Sequence, residues 1–151
     1  MRDSLTYKKI IAAFDGSQDG RKAVEAACNL AKQFGSEVVV AYAYTMPVLT
    51  YAGLPGMQPM NFPDVEKLSK QQGRKVLDDG IRIAKECGAT ARGELLESTS
   101  TIEALVEFAK EEKADLIVVG TRGMTGFKKL VMGSVSTGVV SHAHCHVLVV
   151  R

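Results

Sequence analysis

The chain has no tryptophan, three cysteines, four prolines and almost no excess of either charge, with 19 basic against 17 acidic residues. Each scarcity excludes something. A balanced charge argues against a dedicated nucleic-acid binder, which carries a large and clustered basic excess. Cys28, Cys87 and Cys145 are odd in number and widely spread. That is unlike a disulfide framework and fits a reducing, cytoplasmic setting. No stretch approaches the roughly 18 apolar residues that cross a bilayer. Met1 to Lys9 is too polar for the apolar core of a signal peptide. Two familiar phosphate motifs are also missing: there is no G-x-x-x-x-G-K-[ST], and no G-x-G-x-x-G follows the first apolar run. The length predicts one domain over residues 1–151, large enough to bury a core without metal or disulfide staples.

What the sequence does contain is alternation. Five short apolar runs stand at Lys9 to Phe14, Glu37 to Tyr44, Ala91 to Glu97, Leu116 to Gly120 and Val147 to Val150. Runs such as VVV and LIVV are continuous rather than alternating, as in strands of a parallel sheet covered on both faces. Between the first two runs, Ala23, Val24, Ala27, Cys28, Leu30, Ala31 and Phe34 recur at helical spacing, and Gly35 follows as a stop. A second helix is expected from Asp64 to Cys87, stopped by Gly88. Ser100 and Glu103 form a capping-box pattern ahead of a third, and a fourth should run from about Ser134 to Ala143. The order βαβαβαβαβ predicts an open, doubly wound α/β sheet with helices on both faces. Periodicity alone does not give the strand order.

One region breaks the rhythm. Met46 to Pro63 holds all four prolines and predicts a long loop after the second strand. Such a loop is either a plain insertion or a flap over a ligand site, because loops at the carboxyl ends of strands line the cleft in this architecture.

After the fourth run the chain reads Gly120-Thr-Arg-Gly123-Met-Thr-Gly126-Phe-Lys-Lys-Leu-Val-Met-Gly133-Ser134. Glycine lets a backbone approach a bulky anion with no Cβ in the way, and successive N–H groups in such a turn form a concave anion site. Gly133-Ser134 then opens the last helix, whose first N–H groups and positive dipole end favour phosphate. Arg122, Lys128 and Lys129 add positive charge. Ser134 is suited either to a phosphate oxygen or metal, or to a plain N-cap.

The spacing Gly120-x2-Gly123-x9-Gly133-Ser134 resembles the ATP-binding pattern of the universal stress protein family. The similarity extends to the opening YKKIIAAFDGS, the ADLIVVGTRG run, and the ending GSVSTGVVSHA followed by VLVVR, so it covers essentially the whole chain. The resemblance implies a five-stranded parallel sheet in the order 3-2-1-4-5, of the adenine nucleotide alpha hydrolase-like kind. It implies ATP, or AMP, in a cleft at the carboxyl edge, with Mg or Mn, and a homodimer. It assigns Asp15 to the ribose or metal–phosphate region and the backbone of Ala43 to the adenine. Gly120, Gly123, Gly133 and Ser134 match the phosphate set, with Val135 and Ser136 following in the same turn.

Other readings compete at particular residues. Asp15, in Asp-Gly-Ser, has the alternative reading of a turn residue that caps the first helix. His142, His144, Cys145 and His146 carry metal-binding side chains, yet alternate residues of an extended segment point apart, so a solvated turn is favoured and no metal site is assigned. Members of the family more often have proline where His144 and His146 stand. Val147 to Val150, expected at a sheet edge, would be covered by the same strand of a second copy. The functional expectation is a nucleotide-responsive signalling domain with an unknown protein partner. The alternative is a slow ATP hydrolase or nucleotidyl-transfer enzyme, for which no catalytic base beyond Asp15 is evident. A flavodoxin-like carrier shares the layers, but tryptophan, a common flavin-stacking residue, is absent.

Overall fold

The computed structural model describes residues 4–44, 62–121 and 132–151. Strands β1 (Lys9–Ala13), β2 (Glu37–Tyr44), β3 (Ala91–Glu97), β4 (Leu116–Gly120) and β5 (His146–Val150) alternate with helices α1 (Gln18–Phe34), α2 (Phe62–Glu86), α3 (Thr101–Glu111) and α4 (Ser134–His142). The strands form one parallel sheet in the order β3-β2-β1-β4-β5, as the resemblance implies.

Side-chain alternation along the central strands explains the two cores. Ile10 and Ala12 point to one face, where they meet Ala23, Val24 and Ala27 of α1 and Leu77 and Ala84 of α2. Ile11 points to the other face, with Ile117 and Val119, against Leu105 and Phe108 of α3 and Val139 of α4. Ile10, Ile11, Leu116 and Ile117 are essentially inaccessible, and such burial contributes about 1.5–3 kcal/mol per side chain. Continuous apolar runs in β1, β2 and β4 follow from having helices on both sides.

The boundaries show where propensity loses to context. β1 stops at Ala13, yet Phe14 N–H still donates to the Ala41 carbonyl at 2.9 Å, so the ladder outlasts the strand by one bond. β5 starts at His146, one residue before the apolar run, because an exposed polar residue can occupy an edge. α2 begins at Phe62, so Phe62 and Pro63, expected in the loop, are helical. Proline is tolerated in a first turn because the N–H it lacks has no partner there. The remainder of the expected loop, 46–61, lies outside the described residues. α2 and α4 each end one residue before the expected limit, at Glu86 and His142. The capping box at α3 is half realised: Ser100 Oγ accepts from Glu103 N–H at 3.3 Å, while Ser98 Oγ, and not the Glu103 carboxylate, takes the Ser100 N–H at 3.1 Å. Among the described residues, no helix is long and apolar enough to cross a membrane.

Candidate functional site

The site follows from topology. β1 and β4 are neighbours, but β1 leads into α1 on one face and β4 leads toward α4 on the other. A crevice must open where the two connections part. A cleft of about 280 Å³ lies there, bounded by the carboxyl ends of β1, β2 and β4 and the amino ends of α1, α3 and α4. Its volume is near the lower end for small-molecule sites.

Asp15 borders this cleft just beyond β1 and is half-buried. Its Oδ1 accepts from both the N–H (3.0 Å) and the hydroxyl of Ser17. Ser17 Oγ in turn accepts from Gly20 N–H at 3.0 Å and caps α1. The turn needs φ +86° at position 16, which glycine supplies without strain. Asp15 therefore orients the cap of α1, and its Oδ2 has no partner among the described residues.

Gly120 ends β4 and also lines the cleft. A Cβ there would stand 2.6 Å from the carbonyl oxygen of Asp19 and 2.7 Å from its carbonyl carbon. The missing side chain thus makes room for the first turn of α1. Ala43 lies near the end of β2, paired with Leu96 of β3, and joins the cleft wall beside Tyr42.

Across the crevice, Gly133 is the N-cap of α4 in extended conformation, with no side-chain hydrogen bond capping the helix. The N–H groups of Ser134, Val135 and Ser136 precede the first intrahelical donor, Thr137 N–H, which reaches the Gly133 carbonyl at 3.0 Å. Ser134 and Val135 are exposed on the cleft wall. Ser136 is buried, and its hydroxyl lies 3.0 Å from the Gly133 carbonyl and 3.2 Å from that of Thr121. Arg122, Gly123, Lys128 and Lys129 lie outside the described residues. A helix amino end with free N–H groups is a ready anion site.

Thr121 escaped the sequence reading. It is 7% exposed, lines the cleft, and bonds through every polar group it has. Its N–H donates to Val150 O at 3.0 Å and its hydroxyl donates to Asp19 Oδ2 at 3.0 Å, while its carbonyl accepts from Gly133 N–H at 2.6 Å. The one clue in the sequence is its place as the first residue after β4. Thr101 and Leu105 of α3 also line the cleft without a motif to announce them.

The histidine cluster is drawn apart. His142 Nδ1 lies 2.8 Å from the Gly138 carbonyl of its own helix, and His146 Nδ1 lies 3.3 Å from the Tyr7 hydroxyl. Burial, helped by the charge of Asp115, pushes the Cys145 thiol up from its ordinary range. Among the described residues, no three His, Cys, Asp or Glu side chains gather where they could hold a metal ion.

Comparison with known proteins identifies the family. The family model described as the universal stress protein family covers residues 6–151. Universal stress protein MJ0531 of Methanocaldococcus jannaschii is 39% identical over 145 residues, spanning 96% of this chain and 82% of that protein. Universal stress protein YxiE of Bacillus subtilis is 34% identical, spanning 96% and 99%. Among solved structures, a universal stress protein in complex with cAMP superposes with a TM-score of 0.73 at 27% identity, covering 97% of this chain and 99% of that one. The universal stress protein of Archaeoglobus fulgidus in complex with dAMP shares the fold at 23% identity, with a TM-score of 0.67 and coverage of 97% and 100%. The chain belongs to the universal stress protein family.

Proposed function

We propose that this chain binds an adenine nucleotide, ATP with AMP as the alternative, and works as a nucleotide-responsive stress-signalling domain without strong catalysis. One observation carries the reading: the uncapped amino end of α4 opens on the same cleft that Asp15 borders from across the β1–β4 crevice. In this reading the N–H groups of Ser134, Val135 and Ser136 receive phosphate oxygens, with Gly133 leaving room beside them. Asp15 accepts from ribose hydroxyls, which an ionised carboxylate can do. Ala43 offers its backbone to the adenine. Gly120 forms the floor, and Arg122 and Gly123 complete the phosphate set. Mg or Mn would suit the hard oxygen donors present, the Asp15 carboxylate and the Ser134 hydroxyl, beside the phosphates. The relative that binds cAMP supports the ligand class.

The lining supports a reading of weak catalysis at most. Asp15 is the one carboxylate among the described residues of the cleft wall, and it is already engaged by Ser17. Phosphoryl transfer needs a positioned base or water-orienting group. A reducing, cytoplasmic setting suits the three free thiols. A second copy of the chain is the partner that best suits β5, an edge strand on which Leu148 is 37% exposed.

The test is to denature the purified protein, identify any released nucleotide by mass, and titrate ATP, AMP and cyclic AMP by calorimetry. Wild type should bind ATP, and Gly133→Asp should abolish tight binding, because a carboxylate at the helix amino end repels phosphate. A folded Gly133→Asp variant with unchanged affinity would refute the site.

A further inference from the structure

Thr121 bonds to three separate parts of the cleft's surroundings. Its hydroxyl holds Asp19 in the first turn of α1. Its carbonyl takes the N–H of Gly133, the N-cap of α4, and lies within reach of the Ser136 hydroxyl in that helix's first turn. Its N–H holds Val150 at the end of β5. The two helix amino ends that face each other across the crevice are therefore joined through one side chain and one peptide group.

We propose that Thr121 is a positioning residue for the phosphate cradle, fixing the amino end of α4 relative to α1. This rests on the nucleotide reading above. The argument is geometric. N–H groups at a helix end bind an anion only along the direction in which they point, and α4 has no side-chain cap to set that direction. Only two of its nine residues are buried, Ser136 and Val139, and its close contact with α3, Gly138 against Ile102, lies beyond the first turn. The Thr121 carbonyl supplies the fixed point, and the Thr121–Asp19 bond, together with the N–H bond to Val150, holds the residue that carries it. Thr121 is 7% exposed and Asp19 half-buried, so the bond is partly shielded from water, and Asp19 gives it the strength of a charged acceptor. Preorganisation of this kind adds affinity by removing the ordering cost from the binding step. Adenosine makes no use of the cradle, so its binding should be indifferent to the hydroxyl.

The experiment compares ATP and adenosine titrations of wild type, Thr121→Val and Thr121→Ser, with thermal unfolding as a check on folding. Thr121→Val keeps the shape and loses the donor, and ATP affinity should fall about tenfold while adenosine affinity stays within about twofold. Thr121→Ser restores the donor and should recover ATP binding. Asp19→Ala should reproduce the ATP-selective loss from the other side of the bond, and the double variant with Thr121→Val should add little to it. That arm also decides the matter where Thr121→Val does not fold. Equal losses for ATP and adenosine, no loss for either, or a serine variant as weak as valine would overturn the proposal while leaving the site reading intact. Failure of wild type to bind ATP at all would overturn both.

Discussion

Replacing Gly120 by alanine separates a packing role from a phosphate-binding one. The added Cβ would lie 2.6 Å from the Asp19 carbonyl oxygen, 2.7 Å from its carbonyl carbon and 2.8 Å from its Cβ. Comfortable contact between such atoms lies near 3.5 Å or beyond. These are atoms of the backbone and its first carbon, in a turn tied down by the Ser17 cap, so no rotamer change relieves them. Either α1 withdraws by roughly 0.5–1 Å or β4 does. Overpacking of this kind costs about 1–3 kcal/mol, and the immovable neighbour places it toward the upper end. The stiffer unfolded chain returns about 0.4–1 kcal/mol. A net loss of about 2 kcal/mol remains, which for a chain of this size lowers Tm by about 4–8 °C. The assay is urea unfolding followed by circular dichroism, on protein stripped of nucleotide. The loss should be present with no ligand in solution, since it arises between β4 and α1. Stability within about 0.5 kcal/mol of wild type would refute the packing argument.

Two other perturbations read different parts of the molecule. The Lys9 ammonium, bonded to Glu112 at 2.8 Å, holds the Glu112 carboxyl below its ordinary 4.5, against the opposing effect of burial and with help from Arg92. A lowered folded pKa stabilises above the unfolded value and ceases to do so as pH falls through the folded one, so the gap between wild type and Glu112→Gln should narrow below about pH 4.5 in urea titrations. A gap of constant size from pH 7 to pH 3 would contradict this. Leu148→Lys places a charge on the exposed edge of β5; sedimentation should show dimers for wild type and monomers for the variant at micromolar concentration. A wild-type monomer would remove the edge-pairing reading.

Strands β2, β3 and β4 have the bounds expected from the sequence because their signals are local. VVV and LIVVG are apolar runs closed by glycine or charge, and no distant contact is needed to recognise them. The ends that moved were decided by context: His146 joins a strand because an edge accepts a polar residue, and Pro63 joins a helix because it falls in the first turn. Gly133 and Ser134 were legible as a spacing and Asp15, Val135 and Ser136 through the resemblance, and the fold brings them to one cleft. Thr121 was not, because its partners Asp19 and Val150 are 102 and 29 positions away. A packing constraint at Gly120 was hidden in the same way: the neighbour that a Cβ would meet is a helix that only the tertiary fold brings there.

The segment that forms α4 is Ser-Val-Ser-Thr-Gly-Val-Val-Ser-His. It contains no alanine, leucine, glutamate or lysine, and its residues all rank below these in helix propensity. Such a helix is expected to be among the first parts of the protein to open, well below the free energy of global unfolding. Its amide protons should then exchange early, while those of Ile10, Ile11 and Ile117 wait for the whole molecule. An anion at the amino end would raise the opening free energy of this one unit and leave the sheet unchanged. The protein would then report occupancy as the lifetime of a single short helix, with no need to change shape.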